Sequence, residues 1–215
     1  MFLFGEPSEG RISDFLEAQR DSPFSYDEVG ASRKGKAPAG YAVDHNRVKL
    51  GEGREAFDRA VAALLAWRMF DVGWVRIFPP DAPVEVGTTV AVVGRHHGFS
   101  SLNACRVVYL IDEDDGDVRR RGFAYGTLPE HAERGEERFT VEWRREDGSV
   151  HYDLFAFSRP NQFLTGIGYP LARRLQRRFA RDSLRAMVQA TASALPAREE
   201  RRGRPPSGGQ SHRTV

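Results

Sequence analysis

The sequence predicts an α+β fold in which a curved antiparallel sheet of about seven strands packs on one long C-terminal helix. Three observations carry this expectation. Between Trp74 and Ser158 run six consecutive strand-like segments joined by turn-rich connections. Within them, Phe139-Thr140-Val141-Glu142-Trp143-Arg144 alternates strictly between apolar and polar residues, the mark of a sheet with one buried and one wet face. Beyond them, Leu171, Leu175, Phe179, Ala186, Met187 and Ala190 recur as an apolar stripe on the segment long enough to cover that face.

Taken in chain order, Ser8 is placed to cap a helix over Glu9 to Arg20, with Ile12, Phe15 and Leu16 on one side, and Ser22-Pro23 ends it. Residues 23–40 hold repeated prolines and glycines and read as a long loop or a short irregular strand. Tyr41 to Leu50 reads as a strand, broken by Gly51-Glu52-Gly53. Arg54 to Arg68 follows as a helix with Phe57, Val61, Leu64 and Leu65 at helical spacing, closed by Trp67. The period then changes to two. Strands are expected at Trp74 to Phe78, Thr88 to Arg95, Cys105 to Asp112, Arg119 to Leu128, Glu136 to Arg145 and Val150 to Ser158. Glu146-Asp147-Gly148-Ser149 supplies the last hairpin turn. Gly166 to Pro170 leads into the long helix, with proline suited to its first turn. Residues 1–195 are thus expected to form a single domain with an N-terminal helical extension. Residues 196–215, rich in Arg, Glu, Gly, Pro and Ser, are expected to be a disordered tail.

Composition excludes several classes. The 32 basic and 30 acidic side chains nearly cancel, so a net charge of +2 makes no general case for nucleic acid. The single cysteine, Cys105, rules out an intramolecular disulfide and thiolate metal clusters, and reads as a small hydrophobe in a strand. No apolar run approaches the roughly 18 residues of a transmembrane span. The N-terminus lacks the basic and apolar regions of a signal peptide. The expectation is a soluble, cytoplasmic protein.

The richest stretch is Gly122 to Phe139, G-F-A-Y-G-T-L-P-E-H-A-E-R-G-E-E-R-F. It loads aromatics, glycines, a histidine and a carboxylate pair into the join between two strands, where a hairpin needs only turn residues. By alternation Glu137 shares the interior face with Phe139, Val141 and Trp143, and Tyr125 shares a face with Phe123. A carboxylate there needs a partner. Arg159 and His131 are the candidates, and Glu137 either meets a ligand or makes a strand-end ion pair that fixes the hairpin. Gly122 and Gly126 suit a bulge or a close backbone approach. No zinc spacing occurs, since the adjacent His96 and His97 point to opposite faces of a strand, and no metal or other cofactor is expected. No nucleophile elbow or phosphate loop is present. Arg173, Arg174, Arg177, Arg178, Arg181 and Arg185 lie mostly off the apolar stripe, as a solvated face or as a weak contact for an anionic surface.

Several blocks together resemble one family. Tyr26-Asp27-Glu28-Val29-Gly30, Val48-Lys49-Leu50-Gly51-Glu52-Gly53 and Ala60 to Trp67 are similar to its early blocks. Gly122-Phe123-Ala124-Tyr125-Gly126-Thr127-Leu128, with His131 and Gly135-Glu136-Glu137-Arg138-Phe139, resembles its signature. Ala156-Phe157-Ser158-Arg159-Pro160 and Gln176-Arg177-Arg178-Phe179 resemble its C-terminal blocks. The family is the domain of unknown function numbered nineteen-ninety. The resemblance spans about residues 12–190 and implies no reaction, cofactor or catalytic residue. The element order also resembles the helix-grip fold of the START and Bet v 1-like superfamily, which implies a cavity between sheet and helix.

The reading that follows is binding of a small, largely apolar or amphipathic molecule between sheet and C-terminal helix. Trp67, Phe123, Tyr125, Glu137, Trp143 and Arg159 are expected at its lining or mouth, with His131 on a rim loop. Two alternatives stay open: an enzyme on the same scaffold using His131 and Glu137 as acid and base, and an interaction module using the arginine-rich helix.

Overall fold

A computed structural model of the protein describes residues 1–96, 98–161 and 168–192, without the side chains of 168–171. His97, the approach to the long helix at Gly166, the Leu171 side chain and the tail expected over 196–215 lie outside the described residues. The chain runs β1 (Phe2–Phe4), α1 (Glu9–Ala18), β2 (Ala42–Glu52), α2 (Gly53–Leu65), β3 (Val75–Phe78) and β4 (Thr89–His96). It continues through β5 (Phe99–Asp114), β6 (Val118–Thr127), β7 (Glu133–Arg144), β8 (Ser149–Pro160) and α3 (Gly168–Ala192). The strands form one antiparallel sheet in the order β2-β8-β7-β6-β5-β4-β3, with β1 paired to the start of β5. The meander is consecutive except that β2 joins beside the last strand. Bulges at Lys49/Gly51 and Val107/Tyr109 bend the sheet around α2 and α3.

Two elements differ from expectation. β1 is a strand of three residues, too short to show a period, and it exists because Phe2 to Phe4 pair with Phe99 to Ser101. β5 begins at Phe99 rather than Cys105. Ser100, Ser101 and Asn103 are poor strand formers, but both flanks of this segment are paired, by β4 on one side and β1 on the other.

The concave face carries the main core. Phe57, Leu64, Trp67 and Phe70 from α2 and the following turn pack on Phe123, Phe139, Val141 and Tyr152 of the sheet. The convex face is not the wet face expected. Apolar residues also occupy its positions, and their burial needs a second layer. Ile12 and Phe15 of α1 cover Ala91, Val93, Leu102 and Ala104. Ser8 caps α1 by accepting the Arg11 N–H at 3.3 Å. At its other end Arg106 donates to the carbonyls of Gln19, Arg20 and Ser22 at 2.6–2.9 Å. The loop after α1 covers Phe155 and Phe157 with Tyr26 and Tyr41.

That loop is held by one carboxylate. Glu136, 3% exposed, accepts from the Tyr26 hydroxyl at 2.7 Å, the Gly30 N–H at 2.7 Å and the Ser32 N–H at 2.9 Å. The Ser32 hydroxyl donates to it as well. Tyr109 bonds Ser32 Oγ at 2.6 Å, because the β5 bulge turns Val107 to the concave side and Tyr109 to the convex one. Gly126 is required beneath this clasp, since a Cβ there would run into the Tyr26 ring and hydroxyl. A carboxylate with four donors is stable when buried, and an amide in its place can neither accept all four nor attract them as strongly. Glu136→Gln is therefore expected to cost at least about 3 kcal/mol. Denaturant unfolding measures the loss, and limited proteolysis should show the segment 23–40 cut first.

Candidate functional site

A cavity of about 250 Å³ lies between the concave face and the first half of α3. Its origin is the uneven seating of that helix. Ala180, Ser183, Ala186 and Met187 are buried, and the Tyr152 hydroxyl meets Ser183 Oγ at 3.1 Å, so the C-terminal half lies close on the core. In the N-terminal half, Ala172, Leu175, Gln176 and Phe179 line open space instead. Phe70, Val92 and Leu154 complete the apolar wall. Phe70 joins it to the core, with its ring 5.1 Å from Phe179 and 5.9 Å from Phe139.

The polar lining is a connected set. Arg173 grips Asp44 of β2, with Nη2 donating to Oδ1 at 2.9 Å, and also donates to Gln176 Oε1 at 2.5 Å. Gln176 Nε2 in turn donates to Glu133 and, at 2.8 Å, to Ser158 Oγ. This latch ties α3 to β2, β7 and β8. Directly across the β6–β7 pair, the Tyr125 hydroxyl donates to Glu137 Oε2 at 2.6 Å. No described residue donates to the other Glu137 oxygen, and the surface that Glu137 still exposes is turned into the cavity.

Burial dominates the electrostatics. It pushes the Glu137 carboxyl from 4.5 up to about 7 against the Tyr125 hydrogen bond, with Glu133 and Asp44 adding to the rise. Burial also pushes Glu133 to about 7, opposed by Arg173 and its hydrogen bonds. His131 moves the other way, to about 3, through burial and the nearby Met1 ammonium. Its Nδ1 accepts the Glu133 N–H at 2.9 Å, which leaves the proton of the neutral ring on Nε2. The Cys105 thiol is fully buried and its pKa is driven up by burial, which keeps it unreactive.

Of the residues singled out in the sequence, Tyr125, His131 and Glu137 line the cavity. Trp67 and Phe123 do not. Their rings meet edge to face at 4.8 Å in the packed core, with Trp67 Nε1 bonded to the Ala82 carbonyl at 2.8 Å. Trp143 shares the concave face but packs against Phe57, with Arg145 over its ring, away from the cavity. Arg159 is on the opposite face. Ser158 takes the cavity side, so the next residue turns outward, and Arg159 stacks on Tyr41 at 4.6 Å. It is thus no partner for Glu137, and the carboxylate that fixes the chain beside this hairpin is Glu136. Arg173 belongs to the latch rather than to an open basic face. Arg178, Arg181 and Arg185 crowd around Asp182, and Arg178 also stacks on Trp74 at 4.5 Å. Arg174 and Arg177 are exposed. Among the described residues no three His, Cys, Asp or Glu side chains are grouped to hold a metal, and no helix is long and apolar enough to cross a membrane.

Sequence reasoning placed neither Glu133, Gln176 nor the Asp44–Arg173 pair at the cavity. A signal for Glu133 was present, since Glu133, Gly135 and Glu137 share a face at period two. Asp44 and Arg173 are 129 positions apart, and no local pattern links them.

Both carboxyls have folded pKa values above 4.5, so the folded state holds protons that the unfolded chain releases. Their contribution is full below about 4.5 and is lost as pH rises through about 7. Glu137→Gln should flatten this decline and gain about 1–3 kcal/mol relative to the native chain between pH 4.5 and pH 8. Urea unfolding at those pH values tests it, and an unchanged slope would show that Glu137 titrates normally.

A curved antiparallel sheet wrapped on a long C-terminal helix is the helix-grip arrangement. Among solved structures, human STARD10 aligns with a TM-score of 0.45 and 9% identity, over 89% of this chain and 82% of that one. A norcoclaurine synthase point mutant from Thalictrum flavum aligns with a TM-score of 0.44 and 12% identity, over 74% and 98%. A UPF0548 protein of Dictyostelium discoideum is 36% identical over 210 residues, covering 90% of this chain and 97% of its own length. A UPF0548 protein of Deinococcus radiodurans is 38% identical over 201 residues, covering 88% and 98%. Residues 25–186 match the family described as Domain of unknown function (DUF1990), and the protein is a member of that family.

Proposed function

We propose that the protein binds a small, largely apolar or amphipathic molecule in the cavity between the sheet and α3. The observation that carries this is the cavity itself, an apolar wall of Phe70, Val92, Leu154, Leu175 and Phe179 with a few convergent polar groups. Apolar walls supply affinity, and a small number of fixed polar atoms orient the ligand. At about 250 Å³ the space suits a compact molecule. Tyr125 and Glu137 are the orienting pair, rigid because they face one another across two paired strands. The latch through Arg173 and Gln176 closes α3 over the occupant.

The same pair bears on acid–base chemistry. Glu137 and Glu133 hold protons near neutrality, whereas His131 stays neutral until about pH 3. A proton-transfer role on this scaffold therefore falls to the carboxyls, with His131 serving as a hydrogen-bonding group.

The native protein should bind a neutral, environment-sensitive hydrophobic dye saturably, and a compact apolar competitor should displace it. Tyr125→Phe keeps the ring and removes one hydroxyl. It should weaken hydrogen-bonding ligands by about 0.5–1.5 kcal/mol while leaving purely apolar ones unchanged. Fluorescence titration and calorimetry measure both. A folded sample that binds none of a broad apolar and amphipathic panel would reject the cavity reading.

A further inference from the structure

We infer that the molecule held in this cavity carries a protonated nitrogen on an apolar body, and that Glu137 is its counter-ion. This rests on the ligand-binding reading above and adds the chemical class of the ligand.

Charge around the cavity is out of balance. Among the described residues, Asp44, Glu133, Glu136 and Glu137 line the cavity, Glu136 is satisfied by its own donors from the loop after α1, and the cation beside the others is Arg173. Arg173 is already committed to Asp44 and Gln176. Residues 162–171, which connect β8 to the described side chains of α3, include no charged residue. Glu137 itself receives one hydrogen bond, from Tyr125, on one oxygen. Glu137 lines the cavity together with Phe70, Leu154 and Phe179, and among the described residues nothing donates to its second oxygen.

A carboxylate in that position has two ways to avoid the cost of an uncompensated buried charge. It takes up a proton, or it meets a cation. Without ligand it takes up a proton, in keeping with its raised pKa. A ligand ammonium offers the other route: the proton leaves Glu137 to solvent, and the ion pair forms against apolar walls, where charges attract more strongly than in bulk water. The Tyr125 hydrogen bond then gains, because the carboxyl accepts best when it is charged. A ligand carboxylate meets the opposite situation, with Glu133 and Asp44 repelling it as well. A neutral alcohol of the same shape has neither gain nor repulsion.

Proton release gives the affinity a defined pH dependence. The titratable and charged groups that act on Glu137 or line the cavity with it include Glu133 on β7, Tyr125 on β6, Cys105 on β5, His96 on β4, Asp44 on β2, Tyr152 on β8, Arg173 on α3 and the neutral His131; burial and Arg178 lower the His96 pKa, so it too favours the neutral form. Tyr125, Tyr152 and Cys105 are all shifted upward by burial and remain neutral between pH 6 and pH 8. Binding of an ammonium should therefore tighten as pH rises from 6 to 8, and binding of an alcohol should not.

Heptylamine, heptanol and octanoate share one seven-carbon apolar body and differ in the head group. Isothermal titration of each into the native protein at pH 8 should give the order amine, alcohol, carboxylate, with the amine at least tenfold tighter than the alcohol. The amine should tighten several-fold between pH 6 and pH 8, and at pH 6 its binding should release protons, seen as a buffer-dependent heat. Glu137→Gln should remove the amine's advantage over the alcohol and abolish its tightening between pH 6 and pH 8. The native-protein series and its pH dependence remain decisive even if that variant folds poorly. Binding of heptanol equal to or tighter than heptylamine would overturn the charge assignment and leave the cavity reading standing. Binding of none of the three, with no dye binding, would overturn both.

Discussion

The register between β6 and β7 is the constraint on which the rest depends. It sets Tyr125 opposite Glu137 and Gly126 opposite Glu136. Side chains alternate across a strand, so two neighbouring carboxylates in sequence serve opposite faces of the sheet. Glu136 ties the loop after α1 to the convex side through Tyr26, Gly30 and Ser32. Glu137 enters the cavity with one hydrogen bond and an open oxygen. A slip of one residue would exchange them, leaving the loop without its acceptor and the cavity without its acid. Gly126 guards that register from the back, because only a residue without a Cβ leaves room for Tyr26.

The cavity follows from where α3 can and cannot approach the sheet. Small residues at Ala180, Ser183 and Ala186 let its second half lie close, and Met187 fills the space beneath. In the first half, larger side chains at Leu175, Gln176 and Phe179 hold the helix away, and contact is made through polar groups instead. Space is thus kept open by the same helix that closes it. The Arg173–Asp44 pair fixes that distance from the far edge of the sheet.

The distribution of charge separates structural from functional carboxylates. Glu142 is ringed by Arg47, Arg120 and Arg144, and its pKa falls to about 2 even though burial works against it. Glu137 has no such partner and its pKa rises to about 7. Well-paired acids add to stability at neutral pH, while an acid held without a cation subtracts from it. Proteins accumulate the second kind at sites that meet something else.

The sequence by itself determined the element order apart from β1, the face on which Glu137, Phe139 and Val141 lie, and the stripe that covers them. These are local periodicities, and a period of two or 3.6 is written in neighbouring residues. It also marked Tyr125, His131 and Glu137, because a loop and strand pair so loaded with polar and aromatic groups exceeds what a turn requires. Only the tertiary structure decided which interior residues are packed and which face open space. Phe123 and Trp143 satisfy the same strand pattern as Tyr125, and Trp67 the helical one, yet Trp67 packs against Phe70 and Phe123, and Trp143 against Phe57, while Tyr125 reaches the gap left by α3. Tertiary structure likewise decided the partners: Asp44 for Arg173, Tyr26 and Ser32 for Glu136, Tyr41 for Arg159. Such pairs join positions far apart in the chain, and which of them meet depends on how the layers close, a property that no short window of sequence contains.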